Sequence, residues 1–172
     1  ILVWVALAIL APLLPLHPPN KSDLASFAQP GPSAAHWLGV DTKGRDILAR
    51  IIFGAQRVLT VAPLAALCAY LVGCPLGLMA GYYGGKVDAL ISRVGDVILS
   101  FPIIILYVIL IATIGPSILN IILAVVLASG PGIARIVRGL TLEQRHLDYV
   151  AAAELRRENA LYIMFVELLP NC

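Results

Sequence analysis

Histidine and cysteine are the residue types in this 172-residue chain best suited to metal binding or nucleophilic chemistry. The chain has three histidines, His17, His36 and His146. They are widely separated in the sequence, which makes each one more typical of a surface or interface residue than of a metal ligand. Cys68, Cys74 and Cys172 show no metal-ligand spacing, and their odd number does not indicate a disulfide framework. We therefore predict no metal site, no catalytic residue and no bound cofactor.

A glycine-rich stretch at residues 84–88 superficially resembles a phosphate-binding loop. The phosphate-loop pattern requires glycine at position 80 and serine or threonine at position 87, where this chain has Ala80 and Val87. No strand precedes the stretch, so we exclude a nucleotide site there. We interpret residues 84–96 as a short charged loop, with Arg93 and Asp96 as a charge pair at the membrane edge.

The composition places the chain in a membrane. Hydrophobic residues make up 60% of the sequence and charged residues 13%, whereas soluble domains carry roughly 25% charged residues. The apolar runs are continuous rather than alternating, which favours helices over barrel strands. A net charge of +2 without a basic block excludes nucleic acid as a partner. We predict an all-α, polytopic helical bundle.

Four apolar runs predict four membrane helices, at residues 1–16, 58–83, 97–114 and 118–134. The first run begins as if in mid-helix, and an apolar segment is expected after Cys172. We therefore expect the sequence to be a fragment that lacks residues at both ends.

The second run carries small residues at every fourth position: Ala65, Ala69, Gly73, Gly77 and Gly81. Such a stripe allows two helix backbones to approach closely in lipid. The stripe is consistent with packing inside this chain, with lining of a path through the helical bundle, or with both.

Residues 148–171 are too charged to lie in lipid and have the pattern of two short helices. Thr141 and Gln144 fit a capping box that would start the first helix, which would continue through Tyr149 and Ala153. A second helix begins near Ala160, followed by apolar residues at helical spacing. An amphipathic connector without a partner is one interpretation, and a docking element is the other.

The same stretch resembles the "EAA" loop of bacterial ABC-importer permeases. The positions that match are Tyr149, Val150, Ala152, Ala153, Leu169 and Pro170. In that family the loop faces the cytoplasm and docks on the ATP-hydrolysing subunit. Ala151 replaces the usual glutamate, and Arg157 replaces a glycine that can adopt positive φ at low cost. Asn159 tolerates that conformation and offers an alternative position for the turn.

A second resemblance lies in residues 36–46, which read HWLGVDTKGRD. This segment is similar to the "HWLGTDxxGRD" signature of the peptide/nickel subfamily of these permeases. We expect it to form a folded external cap, with direct substrate contact as the alternative. We also predict that Asp41, Arg45 and Asp46 form one network there.

These resemblances identify the chain as a C-type permease subunit of the dipeptide, oligopeptide or nickel ABC importers. They imply a partial first helix at 1–16, an extracytoplasmic linker at 17–57 and a permease core at 58–172 with a coupling loop at 139–170. The implied partners are a second permease chain, two cytoplasmic ATPases that bind the ATP, an external substrate-binding protein and membrane lipid. The implied location is the inner membrane of a bacterium or archaeon. The subunit is then not itself the enzyme. Nickel import, or an uncoupled membrane channel or scaffold, are the alternatives to peptide import.

Overall fold

The computed structural model describes residues 2–11, 14, 16–23 and 31–172, which form helices joined by turns. The helices are α1 (Leu2–Leu10), α2 (Ile47–Tyr83), α3 (Gly85–Ser100), α4 (Ile103–Ile114), α5 (Ile118–Gln144), α6 (Asp148–Leu155) and α7 (Ala160–Tyr162). Helix α7 continues as a π-helical turn, Ile163–Leu168, and a final 3₁₀ turn, Leu169–Asn171. Extended pairing in the described residues consists of two isolated bridges, Ser22 with Arg45 and Val40 with Asp46. The predicted all-α fold is confirmed.

The chain divides into two compact units, Ile1–Pro63 and Leu64–Cys172, and α2 crosses the boundary. Helix α2 begins at Ile47, well before the predicted start at residue 58, because Asp46 caps it. The Asp46 carboxylate accepts a hydrogen bond from the Leu48 amide at 3.1 Å, as an N-cap side chain does. Of the predicted helix at 1–16, residues 1, 12, 13 and 15 lie outside the described part.

The predicted third helix at 97–114 is wrong, because the chain breaks at residues 101–102. Pro102 disfavours a helical conformation at Phe101, which is extended at φ −80° and ψ 134°. Helices α3 and α4 therefore meet at an angle of 84°. The predicted charged loop at 84–96 is also wrong, since most of it belongs to α3.

Helix α5 extends ten residues beyond the predicted end at 134 and contains Pro131. Ser117 caps its start by accepting a hydrogen bond from the Asn120 amide at 3.2 Å. The predicted capping box is wrong, because Thr141 lies inside α5. Its buried hydroxyl donates to the Val137 carbonyl, one turn earlier, at 2.8 Å.

Two helices in the described part, α2 and α5, are long and apolar enough to cross a membrane. The bent pair of α3 and α4 makes a third candidate span if it is counted as one. The nine described residues of α1 rise only about 14 Å, which is short of the roughly 30 Å hydrocarbon core. The described residues thus supply two or three of the four predicted spans.

Candidate functional site

Residues 148–171 fold into a helical hairpin. Helix α6 forms its first arm, and α7 with the following turns forms its second arm. The two predicted short helices are therefore present, although the second arm is mostly π-helical. A π-helical turn is rare and occurs frequently at functional sites.

The inner face of the hairpin is an apolar core shared with the long helices. The buried residues of this core are Leu78, Val137, Val150, Ala153, Ile163, Met164 and Leu168. They come from α2, α5 and both arms of the hairpin, and Tyr149 and Leu169 pack against them. Ala153 is completely buried, so its small size is required by packing within this chain. The hairpin therefore shares one packed core with α2 and α5.

The outer face of the hairpin carries the exposed residues of α6. Ala151, Ala152 and Leu155 are exposed, and they lie on one side of the helix because residues four apart share a face. Leu155 has 86% of its surface exposed. Small side chains beside one protruding leucine form a surface on which a partner can pack closely. Leu155 was not among the predicted site residues, although its spacing from Ala151 gives a usable signal.

Arg157 itself makes the turn between the two arms, with a φ of 57°. The Arg157 amide donates to the Glu154 carbonyl at 2.9 Å, and the Glu158 amide donates to the Ala153 carbonyl at 3.2 Å. These two bonds define a Schellman motif, in which the residue after the helix cap is left-handed and is usually glycine. Asn159 does not take over the turn: its φ is −66°, and its side chain caps α7 through the Leu161 amide.

Polar contacts tie the two arms to the end of α5. The Tyr149 hydroxyl donates to Gln144 Oε1 at 2.7 Å, and the side-chain nitrogen of Gln144, Nε2, donates to the Asn171 carbonyl. Burial raises the pKa of Tyr149 further above its usual range. The Arg156 guanidinium pairs with Glu167 at 3.1 Å across the hairpin. Pro170 is exposed beyond these contacts.

The small-residue stripe of α2 lies against α5 over three successive turns. A β-carbon placed on Gly77 would lie 2.6 Å from the Ala134 carbonyl oxygen. One placed on Gly73 would lie 2.9 Å from the Gly130 carbonyl oxygen, and one on Gly81 would lie 2.6 Å from the Thr141 β-carbon. Real side chains do not approach that closely, so glycine is required at all three positions. Ala65 and Ala69, which continue the stripe, are buried.

An open cavity of about 750 Å³ lies between α2, α3 and α5. Most of its lining is apolar, and Asp96, Arg135 and Arg138 contribute its charged groups. Asp96 pairs with Arg135 at 2.5 Å, and Asp88 pairs with Arg138 through both carboxylate oxygens. The predicted pairing of Asp96 with Arg93 is wrong, because Arg135 takes that place. Lining of a translocation path by the small-residue stripe of α2 stays a prediction.

Residues 36–46 form a tight loop built on positive-φ glycines and one central carboxylate. Gly39 and Gly44 have φ values of 78° and 69°. Asp41 accepts from the Lys43 and Arg45 amides at 2.8 and 3.0 Å, and it pairs with the Arg45 guanidinium at 2.7 Å. The Arg45 hydrogen bond holds the pKa of Asp41 well below its usual range.

The predicted network of three residues holds for Asp41 and Arg45, to which Arg50 is added. It is wrong for Asp46, which is buried and faces His17 and His36 instead. The two histidine rings lie 4.9 Å apart, although the sequence separates them by 19 residues. Trp37 is exposed, as suits a membrane–water interface.

Comparison with known proteins places these features in a family. Residues 73–172 match the family described as "Binding-protein-dependent transport system inner membrane component". The chain is 39% identical over 168 residues to a dipeptide transport system permease protein of Alkalihalophilus pseudofirmus, covering 98% of the chain and 55% of the relative. It is 39% identical over 172 residues to a glutathione transport system permease protein of Pectobacterium atrosepticum, covering 99% and 57%. It is 38% identical over 171 residues to a probable D,D-dipeptide transport system permease protein of Escherichia coli, covering 99% and 57%.

The chain thus spans just over half the length of these relatives. The family match runs from Gly73, in the glycine stripe, through the whole hairpin to Cys172. It includes α3, α4 and α5 with their ion pairs. This chain therefore belongs to the family of binding-protein-dependent transport system inner membrane components.

Proposed function

We propose that this chain forms part of the permease subunit of a bacterial ATP-driven peptide importer, and that the outer face of its hairpin docks on an ATPase subunit. The two-sided construction of the hairpin carries this proposal. One face is buried against α2 and α5, while Ala151, Ala152 and Leu155 are exposed on the other. An element built in this way can receive a movement from a partner and pass it to membrane helices.

The proposed mechanism assigns ATP binding and hydrolysis to two partner subunits. Their closure displaces the hairpin, and the buried core that contains Leu78 and Val137 transmits the displacement to α2 and α5. The glycine contacts keep these two helices together, so they move as one body. The permease then acts as a bistable element whose equilibrium a ligand on another chain biases. A second permease chain completes the multi-pass pathway, and an external binding protein delivers the substrate.

Peptide is the proposed substrate because the relatives' names specify dipeptide, glutathione and D,D-dipeptide transport. Nickel import and an uncoupled channel are not favoured, since neither explains those names. Uptake of radiolabelled dipeptide and of radiolabelled nickel, measured in the same cells with the complete parent subunit and its partners, tests the substrate. Accumulation of nickel without dipeptide would contradict the peptide assignment.

Docking is tested with Ala152→Trp in the complete parent subunit, reconstituted with its partners. Ala152 is exposed beside Leu155, so a tryptophan there obstructs the outer face while leaving the hairpin core intact. We expect substrate-stimulated ATP hydrolysis to fall at least tenfold while basal hydrolysis persists. The measurement is the ratio of stimulated to basal ATPase rates in nanodiscs.

Two variants serve as controls for this test. Ala152→Ser adds little volume at the same position and should retain stimulation. Ala153→Trp places the same bulk in the buried core and should lower the yield of folded protein, which separates misfolding from lost docking. Full stimulation in a correctly assembled Ala152→Trp complex would show that this face does not dock.

A further inference from the structure

His36 presents a buried nitrogen that has no hydrogen-bond partner. The residue is 3% exposed, and its Nδ1 atom is the one buried side-chain nitrogen or oxygen without a hydrogen bond among the described residues. The nearest carboxylate oxygen, Asp46 Oδ1, lies 3.9 Å away, which is too far for a hydrogen bond. A buried polar atom without a partner costs free energy and calls for an explanation.

Asp23 determines which His36 nitrogen carries the proton. Asp23 Oδ2 lies 3.4 Å from His36 Nε2, and an ionised carboxylate can only accept a hydrogen bond. In the neutral imidazole, His36 Nε2 is therefore the donor, and Nδ1 carries the lone pair that faces Asp46. A carboxylate that orients the far nitrogen of an imidazole in this way is characteristic of histidines that bind metals.

His17 supplies a third donor at the same place. Its Nδ1 atom lies 3.9 Å from Asp46 Oδ2, so each carboxylate oxygen of Asp46 faces a different histidine. One donor atom from each of the three residues lies within 4.8 Å of the other two. Donors of a tetrahedral zinc, at about 2.0–2.2 Å from the metal, lie roughly 3.3–3.5 Å apart. To bind one ion, the two 3.9 Å separations must shorten by about half an ångström, and the third, which is at most 4.8 Å, by up to about 1.5 Å.

We propose that His17, His36 and Asp46 form a binding site for a divalent transition metal of the zinc class. Two imidazoles and one carboxylate suit zinc, cobalt or nickel, whereas magnesium and calcium prefer oxygen donors alone. His17 is about half exposed, so water can complete the coordination on that side. The inference is independent of the proposed transport function, because all three residues lie in the first unit, outside the hairpin.

Bound metal would join three separate parts of this unit. His17 follows α1, His36 begins the loop at 36–46, and Asp46 caps α2. The backbone already brings these parts together, because the Asp23 amide donates to the Gly44 carbonyl at 2.7 Å. The metal therefore stabilises an arrangement that exists without it, and its removal should loosen the loop and leave the second unit folded.

The test is zinc binding to the full 172-residue chain, purified in detergent and stripped of metal with a chelator. We expect one zinc per chain to be retained after equilibrium dialysis, with a raised melting temperature. Cobalt should bind at the same place and give the visible absorption of a tetrahedral or five-coordinate site. His17→Gln and Asp46→Asn should each weaken zinc binding at least tenfold and abolish the cobalt spectrum. Asparagine caps helices as well as aspartate does, so Asp46→Asn preserves the start of α2.

His146→Gln is the matched control, because His146 is an exposed histidine in the second unit. It should leave zinc stoichiometry, zinc affinity and the cobalt spectrum unchanged. The three cysteines are present in every variant, so zinc taken up by thiols is a common background. The proposal is overturned if no zinc is retained, if His17→Gln and Asp46→Asn bind as the parent chain does, or if His146→Gln weakens binding equally. Circular dichroism of each variant checks that the helices remain folded.

Discussion

Helix α5 meets α2 through glycine and meets α3 through ion pairs. On the α2 side, Gly73 and Gly77 allow backbone and side chains to touch with no room for a single added carbon. On the α3 side, the helices are linked by Asp88 with Arg138 and by Asp96 with Arg135. A cavity of about 750 Å³ remains beside these ion pairs, between α3 and the other two helices. One side of α5 is thus closely packed without space, and the other combines apolar contact, as between Gly95 and Pro131, with ion pairs and a cavity.

The difference separates a fixed contact from an adjustable one. The close contact between α2 and α5 leaves no free space. Packed interiors deform little, so such a contact does not adjust gradually to a displacement. An ion pair with partly exposed side chains tolerates movement, since its energy changes gradually with distance. We therefore expect substitutions in the contact between α2 and α5 to be more disruptive than substitutions in the ion pairs between α3 and α5.

The largest expected effect comes from filling the glycine contact with Gly77→Leu. Overpacking costs about 1–3 kcal/mol where side chains can shift. Here the neighbour is the Ala134 carbonyl oxygen, which cannot shift without moving α5, so we expect a loss of at least about 3 kcal/mol. The measurement is the free energy of unfolding in detergent, together with the yield of assembled complex.

Gly139→Leu is the control for that substitution. Gly139 lies on α5 and has nothing within 4 Å of the position where a β-carbon would be. Leucine there should be neutral or slightly stabilising, because glycine is a poor helix former. Equal stability of the two variants would show that α2 and α5 are not in close contact.

An intermediate effect is expected from Asp88→Asn on the charged side of α5. The Asp88 and Arg138 side chains are 18% and 33% exposed, which places their pair between exposed pairs and buried ones. Removing one partner costs about 0–1 kcal/mol in an exposed pair and about 3–5 kcal/mol in a buried one. We expect a coupling energy of roughly 1–2 kcal/mol between Asp88 and Arg138, measured by a double-mutant cycle of Asp88→Asn with Arg138→Gln.

The pair of Asp96 with Arg135 provides the comparison, since both of its side chains are 63% exposed. A cycle of Asp96→Asn with Arg135→Gln should give a coupling energy below about 1 kcal/mol. A larger coupling for Asp96 than for Asp88 would mean that exposure does not rank these contacts, and the contrast between them would fail.

The sequence predicts the contact of α5 with the glycines of α2 far better than it predicts the ion pairs of α5 with α3. A repeat of small residues every four positions is a local pattern with one common structural cause. Asp88 and Arg138 are 50 residues apart, and a charged stretch between apolar runs has the same composition whether it is a loop or an amphipathic helix. The His17, His36 and Asp46 cluster escaped prediction for the same reason, because the chain path alone brings these residues together.

In the hairpin, the sequence predicts the two short helices, but it does not distinguish the inner face from the outer one. Ala152 and Ala153 are the same residue type, yet Ala152 is exposed and Ala153 is buried. Their difference depends on which way α6 rotates against α5, and this is decided by tertiary packing around Val137 and Met164. The exposed surface of α6 is therefore set by tertiary packing and not by the local sequence pattern.

The last and smallest expected effect of a test substitution is a gain in stability, from Arg157→Gly in the turn of the hairpin. A left-handed conformation costs a residue with a β-carbon about 1–2 kcal/mol, and Arg157 adopts it at a φ of 57°. Glycine relieves this cost but loses about 0.5–1 kcal/mol more chain entropy on folding. The net expectation is a stabilisation of roughly 0.5–1 kcal/mol, measured as an increase in the free energy of unfolding. Arg157→Ala separates strain from charge, because it removes the guanidinium and keeps the β-carbon. It should give no gain, and Arg157→Asn should fall between the two, since asparagine tolerates this region better than alanine does. If alanine stabilised the chain as much as glycine, the gain would come from removing the charge, and the turn would hold no strain for glycine to relieve.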